Sequence, residues 1–166
     1  LRYEKGVLVQ ATTRGDGTFF GEDVTLNAKV IQGMVTKFEA EIEKLEVRCE
    51  VYMTEESFQK VNERQELLEK KLFANPRNCA AGTLRQLDFQ ITKERNLNIF
   101  VFNIQQFQGI DIESHTQGYE LLVKLGFPII EEFEVCQSAQ EVWEAIERIG
   151  EDRGSFGYNI DGAVVK

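Results

Sequence analysis

With a single histidine, His115, this chain has little from which to build a Ser/His or Cys/His nucleophile. His115 lies between Ser114 and Thr116, two residues suited to capping a helix, and reads as a surface or capping residue. Cysteine is also scarce. Cys49, Cys79 and Cys136 are far apart, odd in number and without CxxC spacing, so neither a disulfide framework nor a zinc site has support. That usage fits a reducing cytoplasm. The sequence has no GxxxxGK[ST], no GxGxxG after a strand and no HExxH. No apolar run approaches the roughly 18 residues a membrane span needs, and no signal-like start is present. Cations are outnumbered: 19 Lys and Arg against 28 Asp and Glu give a net charge of −9. A broad basic face for duplex DNA is therefore not expected, although a few cations can still concentrate in one pocket.

What is present is enough for a packed core. The 166 residues fit one domain, and 42% hydrophobic with 28% charged residues is ordinary for a globular chain. Leu1 to Thr13 predicts a hairpin turning at Glu4-Lys5-Gly6, with Val7-Leu8-Val9 as a buried return strand. The glycine-rich loop Arg14-Gly15-Asp16-Gly17 follows, then a short helical or irregular stretch around 26–33. Thr54 is placed to cap a helix whose apolar face runs Phe58, Val61, Leu68, Leu72, with Asn75-Pro76 ending it. A small-residue run from Cys79 to Gly82 predicts a closely packed turn or short helix, and 99–104 a strand. Ser114 or Thr116 caps a helix to about Leu125, with Gly126 at its C-terminus. Ser138 and Glu141 have capping-box spacing before a helix closed by Gly150, and 159–166 reads as a final strand. Mixed strands and helices without a βαβ rhythm predict an α+β fold with antiparallel sheets. Strand-like runs at both termini predict a piece of a longer protein, truncated at both ends.

The stretch from Leu45 to Met53 alternates without a break. Leu45, Val47, Cys49, Val51 and Met53 share one face, and Glu46, Arg48, Glu50 and Tyr52 line the other at about 7 Å intervals. Such a row is either a half-solvated sheet surface or the floor of a polar cleft. Other residues favour the cleft. Arg14 in its glycine loop suits a phosphate, whose oxygens a guanidinium grips as a fork. Arg77 and Arg85 flank the small-residue run. Asp161 and Lys166 bracket an apolar strand, and a lysine ending a buried strand calls for an anionic partner. Together these residues sketch an anion-binding cleft, with Glu50 able to accept hydrogen bonds from ribose hydroxyls. Arg14-Gly15-Asp16 also spells an integrin-type tripeptide, which leaves an interaction module as an alternative.

The chain resembles the adenylation (nucleotidyltransferase) domain of bacterial NAD-dependent DNA ligases. The likeness is carried by 1–9, Thr13 to Gly17, Gly21-Glu22-Asp23-Val24-Thr25 with Asn27, and Leu45 to Met53. It continues through the sixteen residues from Phe73 to Asp88, then Leu125-Gly126-Phe127-Pro128 and Asp161 to Lys166. The resemblance implies a nucleotidyltransferase (ATP-grasp-like) fold of antiparallel sheets flanked by helices. It implies an enzyme of DNA repair and replication that seals nicks in duplex DNA in three steps, using NAD and Mg²⁺. It further implies that Glu50 holds the adenosine ribose, Arg14 contacts the nucleotide and Phe102 stacks on adenine. Lys166 contacts the adenylate and stabilises charge on its phosphate, and Asp161 is the acid of the same motif. Arg77 and Arg85 suit contacts with nicked DNA or nucleotide phosphates, and alternation places Arg48 on the same side as Glu50. No metal ligand is expected within the chain. The implied partners are NAD and nicked duplex DNA, with no membrane, for a cytoplasmic monomer.

The departures from the family pattern define the remaining expectations. The nucleophilic lysine of a K-x-D-G motif is expected upstream of Leu1, and a second phosphate-contacting lysine beyond residue 166. The four-Cys zinc module is expected elsewhere in the parent, with its OB-fold, helix-hairpin-helix and BRCT domains. A catalytically inactive nucleotide-binding paralogue is the alternative if the upstream motif is missing. Cys49 stands where the family has Gly and Cys79 where it has Ala. The loop through Thr18-Phe19-Phe20 is one residue longer than usual. Cys49 falls on the apolar face, so its effect is expected in packing more than in nucleotide binding.

Overall fold

The computed structural model describes residues 1–15, 21–130 and 133–166. They form two compact units, Leu1–Ile129 and Ile130–Lys166. The predicted hairpin opens the first. β1 (Arg2–Glu4) and β2 (Val7–Gln10) pair antiparallel across Lys5 and Gly6, whose φ angles are 47° and 75°. A two-residue turn with both φ positive matches the twist of the strands it joins. Gly6 is also required by space, because a Cβ there would lie 2.2 Å from the Phe38 carbonyl oxygen. β3 (Lys44–Tyr52) adds beside β1 and β4 (Asn98–Gln108) beside β3, giving a four-stranded antiparallel sheet in the order β2-β1-β3-β4. The α+β expectation holds at this level.

One face of the sheet carries the core. Tyr3, Leu45, Val47, Ile99 and Val101 are buried there. α2 (Glu55–Leu67) and α3 (Pro76–Leu84) contribute Val61, Cys79 and Ala80 to a cluster with Ile31, Met53, Leu97 and Ile99. Cys49 and Val51 pack against that cluster, as the alternation predicts. Burial pushes the Cys49 thiol above its ordinary pKa. Further along the sheet, the rings of Tyr3, Phe38 and Phe127 meet with centroids 5.3–5.9 Å apart. The Tyr3 hydroxyl donates to the Val35 carbonyl at 2.7 Å. α5 (His115–Lys124) packs on β4 and buries Gly118, Tyr119 and Leu122. The Ser114 Oγ accepts from the Gln117 N–H, which settles the choice of cap, and Gly126 follows with φ 83°. His115 is exposed, its ring 4.5 Å from that of Tyr119.

Several expectations are corrected. In β2 only Leu8 is buried, because an edge strand of a one-sided sheet covers a single face; Val7 and Val9 lie on the other and are exposed. The second helix stops at Leu67, five residues before Leu72. Leu68 and Leu72 find no core, and Glu69 takes φ 52°. Asn75-Pro76 opens a helix rather than closing one. The Asn75 side chain accepts from the Asn78 N–H at 2.8 Å and Pro76 fills the first turn, where its missing N–H costs nothing. α1 (Thr25–Ala28) falls within the expected short helical stretch. α4 (Phe89–Glu94), capped by Asp88, is an addition.

In the second unit, α6 (Ala139–Glu151) begins at Ser138, whose Oγ accepts from the Glu141 N–H. Ala145 is buried and Val142, Ile146 and Ile149 are half-buried on one stripe. Gly150 lies inside this helix rather than after it. Residues 159–166 form no strand in the described structure, and Val164 and Val165 are 81% and 63% exposed. The Ile160 carbonyl accepts instead from the Arg153 guanidinium at 2.8 Å, so the apolar pattern alone does not make a ladder.

Candidate nucleotide and phosphate site

The open face of the sheet presents the predicted polar row. Arg48 and Glu50 are exposed, with Glu46 and Tyr52 half-buried beside them. Glu50 pairs across the strands with Phe100 and Arg48 with Asn103, so these four residues share a face. The Tyr52 and Phe100 rings stand 5.7 Å apart beside Glu50. Between the Arg48 and Cys49 pairings the register slips, and Phe102 is the extra residue of the resulting β4 bulge. The Phe102 carbonyl is held from the α5 side by the Tyr119 hydroxyl at 3.1 Å. Periodicity finds Glu50 and Arg48. It misses Phe100, whose place opposite Glu50 depends on an inter-strand register that a single strand cannot reveal.

A second group assembles around Arg14. The segment ahead of Arg14 pairs with the segment after the glycine loop. The Thr13 N–H donates to the Glu22 carbonyl at 3.0 Å, the Glu22 N–H donates to Thr13 Oγ1 at 3.0 Å, and the Val24 N–H donates to the Ala11 carbonyl at 2.9 Å. The approach is close enough that a Cβ on Gly21 would fall 1.8 Å from the Thr13 carbonyl oxygen. Asp23 then folds onto α1: its Oδ1 accepts the Thr25 hydroxyl at 2.7 Å and the Thr25 N–H at 2.9 Å. These bonds, the hydroxyl first, hold the Asp23 carboxyl below the usual carboxylate pKa. A depressed folded-state pKa gives stability that is full above the ordinary carboxylate range and lost as pH falls through the lowered value. Proton NMR should therefore show the Thr25 amide keeping its native shift into mildly acidic solution and losing it below pH ~3.9, the unperturbed Asp pKa. Asp23→Asn should abolish that titration.

Arg85 belongs to this group. Its Nε lies 2.6 Å from the Glu22 Oε2, which ties the segment paired with Thr13 to the C-terminal end of α3. Arg77 and Arg85 stand at the two ends of α3, about 12 Å apart along its axis at the helical rise. The 16–20 part of the glycine loop, including the longer Thr18-Phe20 segment and the Asp of the tripeptide, lies outside the described residues. Asp161 and Lys166 belong to the second unit and are exposed. The lysine therefore does not end a buried strand, although partial desolvation still lowers its pKa. Among the described residues no group of three or more His, Cys, Asp or Glu side chains could hold a metal ion.

The whole chain, residues 1–166, matches the family described as the NAD-dependent DNA ligase adenylation domain. The chain belongs to that family. It is 49% identical to a DNA ligase of Acetivibrio thermocellus, 48% to one of Clostridium kluyveri and 47% to one of Bacillus pumilus. Each alignment covers all of this chain and 25% of the relative, so the adenylation-domain chain spans about a quarter of the length of these ligases.

Proposed function

We propose that this chain supplies part of the adenylate-binding cleft of an enzyme that seals nicks in duplex DNA at the expense of NAD. The reading rests on the family match over the full chain, which meets an open sheet face carrying Glu50 and Arg48 and an arginine, Arg85, tied to the segment bonded to Thr13 beside Arg14. In this reading the chain is a partial adenylation domain of the nucleotidyltransferase (ATP-grasp-like) fold. The parent works as a cytoplasmic monomer in DNA repair and replication, and an upstream lysine is its nucleophile.

Adenylyl transfer is phosphorus chemistry, in which positioning and charge neutralisation supply most of the acceleration. Glu50 accepts hydrogen bonds from the adenosine ribose, and Phe102 stacks on the base. Arg14 and Lys166 meet the phosphates, with Asp161 the acid of the Lys166 motif. Arg77, Arg85 and Arg48 contact nucleotide phosphates or the backbone of the nicked strand. Among the described residues no cluster of His, Cys, Asp or Glu side chains could hold Mg²⁺.

Two measurements test the proposal. The full-length protein should seal a 5′-phosphorylated nick with NAD and fail with ATP. The 166-residue chain incubated with NAD should keep its intact mass, whereas an AMP adduct on it would place the nucleophile inside these residues. A full-length protein that binds NAD but never ligates would instead support the inactive-paralogue alternative.

A further inference from the structure

The stretch Gly21 to Ala28 carries part of the family likeness, yet none of its residues is assigned a contact with nucleotide or DNA. Its contacts converge on one point. At one end, Glu22 meets the guanidinium of Arg85 at 2.6 Å. At the other, Asn27 is buried beneath the segment that carries Arg85. The Asn27 Nδ2 donates to the carbonyl of Gln86, the residue after Arg85, and to Thr92 Oγ1, both at 2.8 Å. The Thr92 hydroxyl donates to the Thr83 carbonyl at 2.8 Å, and Arg95 donates to Thr83 Oγ1 at 3.0 Å. Thr83 and Thr92 are almost completely buried, and no buried side-chain polar atom among the described residues lacks a partner. A satisfied buried network of this kind fixes one backbone arrangement, since every alternative leaves a polar group unpaired.

We propose that the segment Gly21–Ala28 is a positioning clamp for Arg85, with Asn27 fixing its backbone and Glu22 orienting its guanidinium toward a phosphate. Arg85 follows the last residue of α3, at the C-cap, where the helix no longer dictates its direction. Asn27 supplies the missing constraint from the buried side and Glu22 supplies it from the solvent side. The Glu22–Arg85 pair is exposed on both partners, at 63% and 56%, so screening leaves it little worth as a stabilising contact. Its use is orientation. The same segment is bonded to Thr13, next to Arg14, so the clamp also sets the distance between the two arginines. This inference rests on the reading of Arg85 as a phosphate contact.

The test uses the full-length protein with Arg85→Ala, Glu22→Gln and Asn27→Ala, and the two double variants that add Arg85→Ala to each clamp change. Binding of a 5′-phosphorylated nicked duplex is measured across a salt series and NAD binding in parallel, which tells a DNA phosphate from a nucleotide phosphate. Arg85→Ala should weaken one of these ligands by about tenfold and, if that ligand is DNA, flatten the salt slope by about one. Glu22→Gln, which keeps the backbone bonds to Thr13, should weaken the same ligand by about threefold to tenfold and leave the melting temperature unchanged. Each double variant should bind no more weakly than Arg85→Ala alone, because a clamp has no work once its arginine is gone. Additive losses with a defective Arg85→Ala overturn the clamp and leave the Arg85 reading standing. An Arg85→Ala protein that binds both ligands normally overturns the Arg85 reading and the clamp with it.

Discussion

Tyr3→Ala should remove about 3–5 kcal/mol of stability, the range for deleting a large buried aromatic. Tyr3 is completely buried on the second residue of a short strand, and its ring is the hub at which Phe38 and Phe127 meet. The surrounding chain cannot readily collapse into the space. Phe38 is held by its N–H bond to the Gly6 carbonyl, and Phe127 by its N–H bond to Leu122 at the end of α5. Tyr3→Phe separates the two contributions. It keeps the ring and loses only the bond to the Val35 carbonyl, worth about 1 kcal/mol net. Urea denaturation followed by circular dichroism gives both values. A Tyr3→Ala midpoint close to that of the native chain would mean that the three rings contribute packing of little consequence.

Glu50→Ala in the full-length protein should weaken NAD binding by about 10–100-fold. Hydrogen bonds to a charged group contribute about 1.5–3 kcal/mol, and each 1.4 kcal/mol is a factor of ten. The side chain is exposed and takes no part in the core, so the melting curve should stay within about 0.5 kcal/mol of the parent. This separation of binding from folding makes the variant informative. Isothermal titration of NAD measures the effect, and Glu50→Gln, which can still accept a hydrogen bond without the charge, should fall between. Unchanged affinity for NAD would remove Glu50 from the site.

The parts of this fold legible in the sequence are those set by local chemistry. The Lys5-Gly6 turn, the caps at Thr54, Ser114 and Ser138, and the faces of β3 each depend on residues a few positions apart, and each forms as read. The misreadings share a cause. Leu68 and Leu72 continue a helical pattern, but no core lies where the helix would carry them. Val164 and Val165 have a strand's composition without a strand to pair with. In each case the outcome depends on a partner distant in sequence. The same holds at the candidate site. Glu50 and Arg48 are visible from alternation, whereas Phe100 enters through register, and Glu22 and Asn27 through contacts spanning roughly sixty residues.

The ring triad also sets a timetable. Tyr3 and Phe38 precede the third ring in synthesis, with Phe127 following almost ninety positions after Phe38. On the ribosome, at about 5–20 residues per second, the hairpin is exposed for several seconds before its third ring emerges. During that interval the hub has an open side, and Val7 and Val9 on the outer face of β2 stay exposed. The first unit therefore cannot close its core vectorially from the N-terminus. Closure waits for α5 and the residues just beyond it, which makes this stretch of translation the window in which a chaperone would have most to shield.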